Sequence, residues 1–355
     1  MEHMKGNLRN GQVRFTFIEE VFEFGRSIFA DQDTIQENFQ VDASDVTDFL
    51  FTEDPWFLTG DTLNIPRHRF AAVDPNSSSD YLLGNASAST TTGPFFFTPF
   101  YSVRSSVGIL GTTIEITGAT NRLDSGTSLT DVLQNRQGNF LCYVETQTGL
   151  ELIGFQNISF NQIGNRTILS GCIRGLADTY PHEITANDRL WFVDEMEVTT
   201  SLPEANTSIE FLPRTQTGRL DPALAANHLQ TYDNRHSLPA PAGDVRFGGP
   251  QFPTSTTGPL TLSWNHRNRD EQIVNGLVTW DDSSQTLPSD VTYTVRFINN
   301  DTGATVEQVT ALTDDNYIFD DPASNYNLRV EIETISSIFG SSFQTFTHTT
   351  AFTQP

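Results

Sequence analysis

Cysteine and positive charge are the two things this sequence most conspicuously lacks. Two cysteines, Cys142 and Cys172, in 355 residues cannot build a disulfide framework, and each lies in an apolar, strand-like context ("NFLCYVE", "ILSGCIRG"). Buried free thiols are therefore expected. Only 20 Lys and Arg stand against 44 Asp and Glu, a formal charge of −24. Such a surface repels phosphate backbones and anionic headgroups, which disfavours general nucleic-acid or membrane-surface binding. Long apolar runs are missing too, and the opening "MEHMKGNLRNGQVRFTFIEEV" turns acidic quickly, so neither a bilayer span nor an export signal is expected.

Helix signals are also scarce. The candidates are "SLTDVLQN" (Ser128–Asn135) and "DPALAANHLQ", where Asp221 can cap and Pro222 takes the first helical position. What the sequence has instead is short alternating segments between Asn, Asp, Gly and Pro turns: "GQVRFTFIEEVFEF", "TTIEITG", "RLWFVDEMEV", "LTLSWNH", "VTYTVRFIN", "LRVEIETIS". These predict a mainly β protein made of several small sandwiches or barrels. The polar "DPNSSSDYLLGNASASTTTGPFFFTPF" (Asp74–Phe100) reads as a long surface excursion, and "SLPAPAGDVRFGGPQFPTSTTGP" (Ser237–Pro259) as an extended connector. The expected organisation is a β-rich region or arm over 1–104, a β domain over 105–240 and a sandwich over 241–355. From Pro259 about seven short strands suit a fibronectin type III-like domain. Trp264 is its expected core tryptophan, and Tyr293, Val295 and Phe297 share one strand face.

The chemistry-bearing residues converge on "TILSGCIRGLADTYPHEITANDRLWFVDE" (Thr167–Glu195). Cys172, His182 and Asp178 could form a thiol, imidazole and carboxylate set, but no nucleophile signature surrounds the cysteine. The segment offers two zinc ligands at most. The acid pairs Asp281 and Asp282, Asp314 and Asp315, and Asp320 and Asp321 lack the alternating oxygen spacing of a calcium loop. No phosphate loop, HExxH or GxSxG is present. The compact basic cluster "HRNR" (His266–Arg269) reads as a charge partner within an acidic chain. No catalytic residue, metal ligand or cofactor site is therefore expected. In the loop itself, Gly171 and Gly175 permit a tight excursion. Arg174 can bridge carbonyls or carboxylates, and Pro181 stiffens the return.

Four segments carry a resemblance. They are "GNFLCYVETQTGLELIGFQNISF" (Gly138–Phe160), "TILSGCIRGLADTYPHEITANDRLWFVD" (Thr167–Asp194), "PLTLSWNHRNR" (Pro259–Arg269), and "TYTVRFINNDTGATVEQV" followed by "NYIFDD" and "LRVEIETISSIFGSSF". In order and spacing, over about Thr112 to Thr350, they resemble the C-terminal part of the tail-tip hub proteins of siphophages and phage-like gene transfer agents. The chain departs from that pattern in lacking a Gly-Thr pair after Arg174 and Gly175, in having His266 where arginine is common, and in its short N-terminal portion.

The resemblance implies a non-enzymatic structural protein of the virion tail, assembled in the host cytoplasm as a homo-oligomer, with a trimer as one option. Its implied partners are the neighbouring tail ring and the tail fibres or receptor-binding proteins. The segment "TTGPFFFTPFY" is too apolar for an isolated loop, so Phe95, Phe96, Phe97 and Phe100 are expected to bury against another subunit or tail protein. A second reading is a carbohydrate-binding sandwich of a fibre or adsorption protein, stacking sugars on Trp56, Trp280 or Phe95–Phe97; a cell-wall hydrolase is a third.

Overall fold

A computed structural model describes residues 43–355 apart from 60–65, 86–89, 121, 123, 201–206, 216–217, 231–233, 321–324 and 355. The expected strand "GQVRFTFIEEVFEF" lies outside the described residues. The described chain is mainly β, built from antiparallel sheets with short helical turns between them.

The C-terminal sandwich is the simplest part to derive. Strand Leu260–Asn265 alternates Leu260, Leu262 and Trp264 inward with Thr261, Ser263 and Asn265 outward, as a period-2 pattern over one buried face requires. It lies between Gly243–Phe247 and Asn316–Phe319 in a three-stranded sheet. The facing sheet runs in the order Phe346–Thr353, Tyr326–Ser336, Val291–Asn299, Ala304–Leu312, with the short Ser255–Thr257 added in parallel at the first edge. A three-stranded sheet facing one built on four long strands is the fibronectin type III-like arrangement expected of this region. Between the sheets Trp264 meets Tyr293 edge-on at 5.4 Å, and Phe297 stacks on Phe319 at 4.1 Å. On the outer face Arg296 reaches Glu333 at 2.6 Å and Glu331 at 3.7 Å across the neighbouring strand.

The middle of the chain forms two four-stranded sheets. One contains Thr113–Thr117, Arg166–Ser170, Asn157–Asn161 and Ser125–Gly126; the other Tyr101–Ser102, Arg189–Phe192, Leu141–Glu145 and Leu150–Gly154. The second sheet is covered on both faces. Cys142, Val144, Leu190 and Phe192 pack toward the first sheet, while Leu141, Tyr143, Trp191 and Val193 pack into a separate core with Trp56 and Leu58. This explains why "LCYV" and "LWFV" are apolar without alternation: neither parity of the strand faces water. Both cysteines are buried and unbridged.

Strands from 43–104 share sheets with strands from 197–230. Phe49–Glu53 and His68–Ala72 are completed by Glu197–Thr199, and Asp80–Asn85 lies between Thr207–Arg214 and Thr90–Phe95. Three expectations are corrected, the first being that Ser237–Pro259 is a connector: it supplies the sandwich strand Gly243–Phe247, with Val245 and Phe247 in the core. Asp74–Phe100 is no surface excursion, since Tyr81, Leu83 and Phe95 within it are core residues; its threonine-rich composition suits a half-buried strand as well as a loop. The segment after Asp221 is a turn: the Asp221 carboxylate accepts from the Ala223 amide at 2.9 Å, and His228–Gln230 is drawn into sheet pairing. That local turn bond competes with helix, which a segment this short cannot otherwise sustain. The other expected helix forms over Leu129–Gln134, with the Ser128 hydroxyl accepting from the Asp131 amide. A further one, Arg269–Asn275, is capped by the Asn268 side chain.

Trp264 is 2 % exposed. Trp264→Ala in the full chain is expected to cost about 3–5 kcal/mol, measured by urea denaturation followed by circular dichroism. An unchanged midpoint would contradict its place in the core.

Candidate functional site: a loop wrapped around a buried carboxylate

The strand Leu150–Gly154 reads "LELIG", an acid inside an apolar run, and Glu151 is wholly buried. An unpaired carboxylate there would cost several kcal/mol, so its partners determine the surrounding structure. Glu151 accepts four hydrogen bonds, all from the segment after the cysteine: Arg174 Nε at 2.8 Å, Arg174 Nη2 at 2.7 Å, the Gly175 amide at 2.9 Å and the His182 amide at 2.9 Å. The planar guanidinium fork matches the two carboxylate oxygens. The remaining Arg174 hydrogens go to the carbonyls of Gly108, Gly111 and His182. Gly175 is at φ +62°, and a Cβ there would stand 2.5 Å from Pro181 Cδ. Only glycine lets the loop double back this tightly.

The same loop reaches three other parts of the protein. Asp178, wholly buried, takes a bidentate contact from Arg235 at 2.5 and 2.7 Å. Arg235 Nη1 also bonds the Thr52 hydroxyl and the Glu53 carbonyl, in the strand Phe49–Glu53. Burial alone would depress the Arg235 guanidinium, but the Asp178 charge and hydrogen bonds hold it above its ordinary value. The Thr179 hydroxyl accepts from the Leu152 amide and donates to the Leu176 carbonyl. From the sandwich, Arg267 donates to the carbonyls of Thr179 and Gly175 at 2.8 and 3.0 Å. Desolvation pulls Arg267 down to about 10, partly opposed by the Asp178 charge. Tyr180 inserts into the sandwich core against Phe346 and Trp280.

Cys172, His182 and Asp178 are adjacent in sequence but each has its own partner. The Cys172 thiol points at the Leu169 carbonyl at 3.6 Å, and burial pushes it up to about 12, away from a reactive thiolate. His182 Nδ1 faces the Thr148 hydroxyl at 2.8 Å and its ring lies on Tyr180. Of the aromatic cluster, Phe95 and Phe97 pack on Tyr81, and Phe100 packs on Trp191 with Arg189 over its ring. Those three are therefore buried or half-buried within their own chain, which corrects the expected interface cluster, and Phe96 alone faces outward at 63 % exposure. The correction follows from the path of the chain: the strand Thr90–Phe95 ends on the buried Phe95, and beyond it Phe97 folds back onto Tyr81 while Phe96 stays outside. Trp56 is wholly buried and Trp280 is 4 % exposed, so neither is an open stacking platform. In "HRNR", Arg267 binds carbonyls, while Arg269 pairs with Asp270 and lies over Phe339. Asp282 accepts from the Ser284 amide in a local turn, and Asp321 lies outside the described residues. Among the described residues no three acids, histidines or cysteines are grouped to hold a metal. The sequence reasoning did not find Glu151, Arg235 or Tyr180. The acid within "LELIG" was the available signal for the first.

No family model matches the sequence, and no curated protein matches it. Among solved structures, the FN1–FN3 domains of chicken CNTN1 are similar over 72 % of this chain and 65 % of that chain, at 12 % identity and a TM-score of 0.22. A likeness at that level carries no argument about this chain.

Arg174→Met leaves Glu151 buried without its counter-charge and is expected to cost about 3–5 kcal/mol in denaturant unfolding. A loss below 1 kcal/mol would show that the pair behaves like an exposed one. The protein should also lose stability in mild acid. Burial pulls His68 down to about 4 against the opposing Asp54 charge, and lowers His182 against Glu151. The unfolded chain takes up these protons near pH 6.5 and the folded chain does not. Their contribution is therefore complete above pH 6.5 and declines as the pH falls toward 4. The melting temperature should drop over that interval, with a shallower slope in His68→Gln; an equal slope in the variant would contradict the assignment.

Proposed function

We propose that this chain is a non-enzymatic structural component of a phage tail tip, a hub-like protein that assembles as a homo-oligomer with the neighbouring tail ring and anchors fibres or receptor-binding proteins. The observation that carries the reading is the use to which the loop Gly171–Ile184 puts its polar groups. It belongs to a segment that resembles the hub proteins, and its Arg-Gly pair is committed to cohesion between modules. A tail-tip part transmits force between a ring and its fibres, which favours modules joined through buried, bidentate contacts over flexible linkers. The other resembling segments fall on strands of the same compact unit, Asp42–Pro355. Phe96, exposed beside Glu197, which accepts from its amide at 3.0 Å, is the member of the aromatic cluster left to meet another tail protein.

Gold-labelled antibody against this chain, applied to phage-like particles from cells that produce it, is expected to mark the distal end of the tail in negative-stain micrographs. Light scattering of the purified chain should give a mass that is a multiple of 39.5 kDa. A strict monomer together with unlabelled particles would overturn the reading.

A further inference from the structure

A cleft of about 390 Å³ opens where the loop meets the sandwich, lined among others by Leu110, Leu129, Gln156, Gln251, Trp280 and Asp281. Its volume lies within the range of small-molecule sites. Two features distinguish it from a packing gap. The indole N–H of Trp280 is buried and has no acceptor among the described residues, although a buried donor ordinarily finds one. The ring itself is fixed, stacked on Phe346 at 6.1 Å with the Arg267 guanidinium over it at 5.8 Å, so the orphan donor is held in place. The cleft lining adds hydrogen-bonding groups with capacity to spare. The Asp281 carboxylate is exposed; the Gln251 amide nitrogen is bonded to Asp244, leaving its carbonyl oxygen; and the Gln156 side chain borders Gly171. Leu110 and Leu129, 47 % and 41 % exposed, supply apolar surface.

We propose that this cleft binds a neutral saccharide. A carboxylate and side-chain amides accept from and donate to vicinal hydroxyls, while leucines cover the apolar C–H face of a sugar ring. The net charge of −24 disfavours anionic ligands at an acidic rim. Trp280 acts through its N–H as a hydrogen-bond donor, in contrast to the open stacking role expected from sequence. The cleft stands independently of the tail-tip reading, which particle labelling tests and sugar binding does not.

The test uses the full chain on an array of neutral and sialylated oligosaccharides, with array positives titrated by isothermal calorimetry. Neutral glycans should bind, and Trp280→Phe, which keeps an aromatic ring but removes the indole donor, should weaken them about tenfold. Asp281→Asn, at an exposed position that does not risk the fold, should weaken them by a similar factor, and Phe96→Ser should leave them unchanged. No glycan binding by the folded chain, preference for sialylated glycans, or binding indifferent to both cleft variants would overturn the proposal.

Discussion

A carboxylate removed from water must be fully answered by hydrogen-bond donors, and the burial of Glu151 imposes that requirement at the centre of this protein. Two donors come from one guanidinium and two from backbone amides that a tight turn brings round. Satisfying them dictates the path of Gly171–Ile184, including the positive φ at Gly175 and the contact with Pro181. Once the loop takes that path, Asp178, Thr179 and Tyr180 are presented to three different neighbours. One buried charge thus organises much of the contact between the sandwich and the middle sheets, alongside the Gln344 amide donating to the Leu150 carbonyl at 2.6 Å.

Buried ion pairs are poor sources of net stability, because desolvation offsets much of the attraction. What such pairs can add is specificity of arrangement. The apolar cores on either side of the strand Arg189–Phe192 would tolerate many similar hydrophobic arrangements, whereas a bidentate pair tolerates few. Arg174 with Glu151 and Arg235 with Asp178 each select one register for the loop. Arg267 does the same for the sandwich without a carboxylate of its own, by donating to carbonyls the turn has exposed.

The strands were largely legible because their determinants are local. Alternation marks Leu260, Leu262 and Trp264 as one face, and the cap Ser128 precedes a short helix, whereas the helix behind Asn268 is hidden within the basic cluster His266–Arg269. The Phe95–Phe97 run misled because three adjacent aromatics in a polar context resemble a sticky loop, while the strand Thr90–Phe95 buries the first and the chain beyond it turns Phe97 onto Tyr81. Arg174 and Gly175 could be assigned a turn-shaping role from their chemistry. Their partner could not, since Glu151 lies 23 residues away and sequence separation carries no information on which buried acid meets which arginine. The same holds for Arg235 and Asp178, 57 residues apart. Side-chain pairings across modules are decided by tertiary packing, which periodicity does not encode.

If Glu151 holds the loop, the loop should open only when the protein does. Native-state hydrogen exchange followed by mass spectrometry measures this directly, because surface loops exchange through local fluctuations while core amides wait for larger unfolding. The amides of Gly175 and His182, both bonded to Glu151, are expected to exchange as slowly as those of the strand Leu141–Glu145 beneath them. Exchange of the 171–184 peptide on the fast timescale of an exposed turn would contradict the central place given to the buried carboxylate.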